Sequence, residues 1–124
     1  MNNLVLSTLG HTWILDLDGT VVKHNGYKID GMDSFLPGAK DLLNHIPEKD
    51  MIILLTSRSE QYRQQTVAFL RSNNIRFNYI IFDVPYGERI LINDRKLSGL
   101  TTAISISIDR DSECTISFTE DADL

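Results

Sequence analysis

"WILDLDGTVV", residues 13–22, closes an apolar run with two aspartates one residue apart, Asp16 and Asp18, and follows them at once with Gly19 and Thr20. A run this short and this rich in Ile, Leu and Val is the length of a buried strand, not of a helix. Side chains at i and i+2 of a strand point to the same side, so both carboxylates face one spot. Two carboxylates a few Å apart resist joint ionisation unless a cation lies between them or one of them holds a proton. The pair therefore suits either a divalent metal or an acid and a base of unlike pKa. Gly19 lets the backbone turn sharply behind them. A bare D-x-D more often does no more than cap and end a strand; the apolar run with D-x-D-G-T is the specific part.

Three more short apolar runs follow, at 51–55, 79–82 and 89–92, and each reads as a strand like the first at 12–17. Between the first two, Ala39, Leu42, Leu43 and Ile46 fall at i, i+3, i+4 and i+7, with Pro37 suited to a first turn and Pro47 ending the pattern. After the second, Ser57 and Glu60 have capping-box spacing, and Tyr62, Thr66, Phe69 and Leu70 form another stripe that runs out at Asn73 and Asn74. Strands alternating with helices predict right-handed βαβ units and a mainly parallel α/β sheet covered on both faces. Ligands gather outside the carboxyl ends of such strands, which is where Asp16 and Asp18 stand. Further on, "AISISI" (103–108) puts Ile104, Ile106 and Ile108 on one face, as in an edge strand, and "CTISF" (114–118) is expected to pair with it as an antiparallel hairpin through "DRDSE". The opening "NNLVLSTLG" (2–10) is compatible with either an added strand or a loose tail.

Length and composition bound the rest. The 124 residues make one domain, 1–124, able to bury about two-thirds of its unfolded surface. With 42% hydrophobic and 23% charged residues, seven Gly and three Pro, the chain is globular in composition. The single cysteine, Cys114, forms no internal disulfide, and the first twenty residues lack the features of a signal peptide, so a cytoplasmic location is expected. No run approaches the roughly 18 apolar residues of a membrane span, and a net charge of −5 repels polyanions, so neither membrane nor nucleic acid is expected as a partner.

"ILDLDGTVV" resembles the first signature of the haloacid dehalogenase superfamily, its phosphatase branch in particular, and "IILLTSR" resembles the second. "ILINDRK" matches the third, an acidic pair after a later strand, with Asn93 in place of one acid. The resemblance runs from Trp13 to about Lys96 in the family's order. It implies a Rossmann-like three-layer sandwich and a two-step phosphoryl transfer in which Asp16 is the nucleophile and Asp18 the general acid and base. It also implies a magnesium ion among Asp16, the Asp18 carbonyl and Asp94, with Asn93 beside it.

The chemistry of these residue types fits each role. A carboxylate attacks a dianionic phosphate only if a hard cation offsets the repulsion, and oxygen ligands favour magnesium. Thr56 ends the second strand with a hydroxyl to give a phosphate oxygen, Ser57 opens a helix whose amides favour an anion, and Arg58 adds a bidentate partner. Gly19 and Thr20 line the same anion site. The lysine that the family carries after its third strand is missing, since "FDVPYGER" puts Val84 and Pro85 there. Lys96 is the expected replacement, with Arg58 as a second cation. Arg89 is a further candidate phosphate-binding cation and the alternative to Lys96 if the loop before it folds back over the site; with the run from Arg89 to Asp94 extended, five residues would hold it about 16 Å from the metal.

His11, His24 and His45 share no metal-ligand spacing. The segments 21–36 and 57–82 are too short for a cap domain of ordinary size, so the site is expected to be capless, taking an extended phosphoester or borrowing closure from a second copy of the chain. "HNGYKIDGMDSF" (24–35) is the expected specificity loop, with Tyr27 and Lys28 touching the leaving group. Small capless relatives in bacteria point to a sugar phosphate or a nucleotide-sugar-linked phosphate of surface-polysaccharide or capsule synthesis. The rival is a catalytically inactive relative that only binds a ligand or partner, which Val84 and Asn93 favour. A signalling receiver domain is disfavoured because its acceptor aspartate lies on the third strand.

Overall fold

The structure, a computed structural model, describes residues 2–124. The strands are β1 (Asn2–Leu6), β2 (Thr12–Asp16), β3 (Met51–Leu55), β4 (Tyr79–Ile81) and β5 (Ile116–Glu120). The helices are α1 (Gly26–Ile29), α2 (Ala39–His45) and α3 (Arg63–Ser72), the last led in by a 3₁₀ turn, Glu60–Tyr62. β2, β3 and β4 form a parallel sheet in that order, and β1 pairs in parallel with β5 in a second sheet. The fold is thus mixed α/β with parallel sheets, each short.

β3 is the central strand, and Ile52 and Leu54 on it are wholly buried. Around them Leu17, Val21, Val22, Ala39, Leu43, Ile46, Leu70 and Ile80 make one cluster, so the apolar stripes of α2 and α3 both meet the sheet. α2 begins after Gly38, which takes a left-handed φ of 83°, and an added Cβ there would run into the carbonyl oxygen of Cys114. Cys114 in turn donates its amide to the Pro37 carbonyl at 2.8 Å, so the chain's last segment lies against the start of α2. The stripe from Tyr62 to Leu70 becomes α3, and Asn73 and Asn74 end it, Asn74 at φ 58°. No helix is long and apolar enough to cross a membrane among the described residues.

The two sheets are tied through Trp13. Its ring lies 4.9 Å from that of Phe118, and its Nε1–H donates to Asp50 Oδ2 at 3.0 Å. Asp50, with a fully buried side chain, also accepts the His11 amide at 3.0 Å and lies 2.9 Å from His11 Nδ1, while His11 Nε2 lies 2.9 Å from the Ser7 carbonyl oxygen just past β1. Burial alone would raise the Asp50 pKa, but the donors of Trp13 and His11 and the nearness of the imidazole hold it below its ordinary value.

Three expectations are corrected here. The run 89–92 forms no strand: Ile90 and Ile92 are 82% and 90% exposed, and the segment turns on its own contacts, with the Lys96 amide on the Leu100 carbonyl and Asn93 Nδ2 on that of Thr102. "AISISI" likewise stays irregular, because alternation gives a strand one suitable face but no partner edge lies beside it. The antiparallel C-terminal hairpin therefore does not form. Asp111, at φ 61°, is instead pulled onto the Gly19 carbonyl, and the chain continues to β5, which pairs with β1 in register from Asn2↔Ile116 to Leu6↔Glu120. The opening segment is thus an added strand. Residues 21–36 hold one short helix, α1, inside a loop closed by the Val22–Phe35 bridge, with no cap domain.

Candidate functional site

β2 stays paired with β3 up to Asp16, opposite Leu55, and the Leu17 amide reaches the Leu55 carbonyl at 2.9 Å. The chain then turns at Gly19, φ 86°, with the Val21 and Val22 amides both on the Leu17 carbonyl. This turn leaves Asp16 and Asp18 side by side on one cleft of about 770 Å³, outside the carboxyl ends of β2, β3 and β4. Gly19 and Thr20 line it too, and Thr20 Oγ1 donates to Asp16 Oδ2 at 3.2 Å.

β3 delivers the next group. Thr56 is fully buried, its amide on the Ile81 carbonyl, and its hydroxyl donates to Asp18 Oδ2 at 2.7 Å. It is spent on the aspartate and is not turned to the cleft. Ser57 lines the cleft but opens no helix: the 3₁₀ turn starts at Glu60, and no side chain caps it. Ser59 beside it holds a buried hydroxyl with no partner.

Arg58 is where the sequence reading fails most usefully. A cation after the second strand reads as a phosphate ligand, yet its side chain is 1% exposed and all three of its nitrogens are engaged by the protein. Nε donates to Asp18 Oδ1 at 2.9 Å and Nη2 approaches the same oxygen at 2.8 Å. Nη1 and Nη2 grip Asp33 Oδ2 and Oδ1 at 2.9 and 2.7 Å, and Nη1 also donates to Thr66 Oγ1 at 2.9 Å. The Tyr27 ring stacks on the guanidinium, 3.9 Å from centroid to carbon. Burial works against the charge, but Asp33 first and Asp18 next raise the Arg58 pKa above its ordinary value. Four of its five N–H donors are in hydrogen bonds and the group is packed between Asp18, Asp33, Thr66 and Tyr27, so Arg58 is turned to the protein and not to the cleft.

The cation that does reach Asp16 is Arg89. Its Nη1 lies 2.8 Å from Asp16 Oδ1, because residues 84–89 fold back over the cleft instead of extending away from it. The Val84 amide on the Thr56 carbonyl and the Asp83 amide on the Arg58 carbonyl start that return. Lys96, the expected lysine substitute, does not line the cleft, and neither do Asn93 and Asp94. All three lie on the exposed segment beyond Arg89, where the carbonyl of Asp94 accepts the Thr102 hydroxyl. Among the described residues no three His, Cys, Asp or Glu side chains are placed to hold a metal ion. The expected magnesium set of Asp16, Asp18, Asp94 and Asn93 is therefore only half gathered.

Tyr27 and Lys28 line the cleft as expected of the specificity loop. The sequence reading missed Asp33 and Arg110. Asp33 sits in that loop with nothing in its spacing to mark it. Arg110 lies on the cleft with its stem packed over Gly19, fixed by the neighbouring Asp111, whose amide bonds the Gly19 carbonyl at 2.9 Å and whose Oδ1 accepts the His24 amide at 2.7 Å. The dipeptide Arg110–Asp111 was visible only as part of a turn. Compared with known proteins, the chain matches no family model, no curated protein and no solved structure.

Proposed function

We propose that this chain is a capless phosphatase of the haloacid dehalogenase kind that hydrolyses phosphate monoesters. The observation that carries the reading is the pairing of Asp16 and Asp18 at the mouth of a cleft beyond the parallel strands, the first half-buried beside a cation and the second held by donors. Asp18, whose oxygens both accept hydrogen bonds here, must first take up a proton from solvent; Asp16 then attacks phosphorus, the ester P–O bond breaks, and Asp18 passes that proton to the departing alkoxide. Water then attacks the aspartyl phosphate, Asp18 takes a proton from it, and inorganic phosphate leaves. Arg89 takes the part of the absent lysine, meeting the phosphate oxygens beside Asp16.

Magnesium belongs to the proposal through the resemblance: Asp16 and the Asp18 carbonyl would be ligands, with Asp94 or Asn93 beside them. As they stand, two carboxylates engaged by Arg89 and Arg58 do not make up such a site, so no step is derived through the ion. The finer fold is proposed with it. β2 is an edge strand of its sheet, and Ile90, Leu91 and Ile92 are exposed. Pairing of 89–92 with β2 would complete a Rossmann-like three-layer sandwich and bring Asn93 and Asp94 to the carboxyl edge, but it would carry Arg89 away from Asp16, so it is the alternative to the part given to Arg89 and not an addition to it. Amide exchange at Leu91 to Asn93 that slows on adding magnesium supports this; unchanged exchange refutes it.

A sugar phosphate or nucleotide-sugar-linked phosphate is the proposed substrate class, acted on in the cytoplasm, with a second copy of the chain closing the open cleft. The Arg89–Asp16 ion pair favours one alternative, an inactive relative that binds a ligand or partner. Phosphate release from a panel of sugar phosphates and aryl phosphates, with magnesium, separates the two. Asp16→Asn is nearly isosteric and is expected to lower turnover by several orders of magnitude while the chain stays folded. A variant keeping more than about a tenth of the wild-type rate sinks the covalent route.

A further inference from the structure

We infer that Asp33 is a positioning residue for Asp18, acting through the buried guanidinium of Arg58. The inference rests on the phosphatase reading for Asp18's task, but its geometry stands apart from it. Asp18 stands two residues past the last residue of β2, its backbone bridged to Val22, and the direction of its carboxylate is set by what its side chain meets. Among the described residues its Oδ1 is held only by Arg58 and its Oδ2 by Thr56. Arg58 is therefore half of the mould, and what holds Arg58 decides where Asp18 points.

That holder is Asp33. It takes both terminal nitrogens of the guanidinium in a fork at 2.7 and 2.9 Å, and its side chain is 5% exposed. The fork defines the plane of the guanidinium, Thr66 Oγ1 on α3 fixes its edge, and Tyr27 closes its face. Planar, bidentate geometry of this sort transmits orientation as well as charge. Asp33 lies on the same loop as Tyr27 and Lys28, which line the cleft, so the surface that meets the leaving group is anchored to the group that protonates it.

The test compares wild type, Asp33→Asn and Arg58→Lys on p-nitrophenyl phosphate and phenyl phosphate, which share a shape but differ in how much the leaving oxygen needs a proton. Asp33→Asn keeps the side chain's outline and breaks the fork. It is expected to lower kcat on phenyl phosphate by about 10²-fold and on p-nitrophenyl phosphate by less than about 10-fold, since a misplaced acid matters most for the poorer leaving group. Arg58→Lys, a point charge without a fork, should show the same split. Equal losses on both substrates, as partial unfolding would give, or no loss, overturn the inference. If Asp33→Asn does not fold, Thr66→Val replaces it and is expected to give a smaller split in the same direction; equal losses there overturn it too. Should wild type hydrolyse neither substrate, the phosphatase reading fails, and the Arg58 Nε–H signal in ¹⁵N spectra decides for Asp33. A signal that is slow to exchange in wild type and lost in the variant upholds positioning, and one unchanged by the variant overturns it.

Discussion

Removing the carboxylate of Asp50 should cost this protein a large part of its stability, and should do so in a way that depends on pH. Asp50 accepts from the His11 amide, the Trp13 indole and the His11 ring, all at 2.9–3.0 Å, with no exposed side-chain surface. Bonds to a charged acceptor contribute about 1.5–3 kcal/mol each, and they share one group, so they do not simply add. Asp50→Ala leaves the Trp13 Nε1–H and the His11 amide without a partner, and about 3–5 kcal/mol is expected, against a total of about 5–15 for a domain. In urea, at a slope of about 2 kcal/mol/M, the midpoint falls by about 2 M. Asp50→Asn keeps one accepting oxygen and should lose less. Because the folded state holds the Asp50 pKa below its ordinary 3.8, the stability it supplies is complete above that value and is lost as pH falls through the lower folded value. The gap between wild type and Asp50→Asn, from urea melts at pH 5.5 and pH 3, must therefore narrow at the lower pH. A gap of equal size at both would show that the charge of Asp50 adds nothing.

Arg89→Met is expected to lower kcat/KM for phosphate release by about 10²-fold or more, the scale of losing one preorganised electrostatic contact, while Lys96→Met stays near wild type. The reverse ranking in steady-state kinetics would mean that the segment beyond Val84 rearranges around substrate. Gly38→Ala should destabilise by about 1–3 kcal/mol through its left-handed φ alone, and by more through the push against Cys114, read as a lowered thermal midpoint. An unchanged midpoint would show that the contact between the last segment and α2 is not held in solution.

The strands and helices that pack on β3 were legible because each carries its own period: the stripe of α2, the stripe of α3 and the short runs of β2, β3 and β4 need only neighbours of the same kind. The position of Asp16 and Asp18 followed from the same pattern. What stayed illegible depends on partners far along the chain. Arg58 looks like an anion ligand until Asp33, 25 residues away, and Asp18, 40 away, are seen to consume it. Arg89 looks remote only if 89–92 is extended, and that depends on a partner edge. "AISISI" and "CTISF" are both plausible strands locally, and which of them finds an edge is set by β1 at the opposite end of the sequence.

The parallel pair of β1 and β5 has a consequence for biosynthesis. Asn3 and Ser117, joined by a side-chain hydrogen bond, are 114 residues apart, so β1 waits for more than a hundred further residues before its partner exists. Such closure is slow, because the entropy of joining distant segments is lost before any contact offsets it. Until then β1 presents a bare strand edge, open to a neighbouring nascent chain. Loss of residues 116–120 would make that exposure permanent, and the expected outcome is aggregation with the cleft around Asp16 and Asp18 still formed.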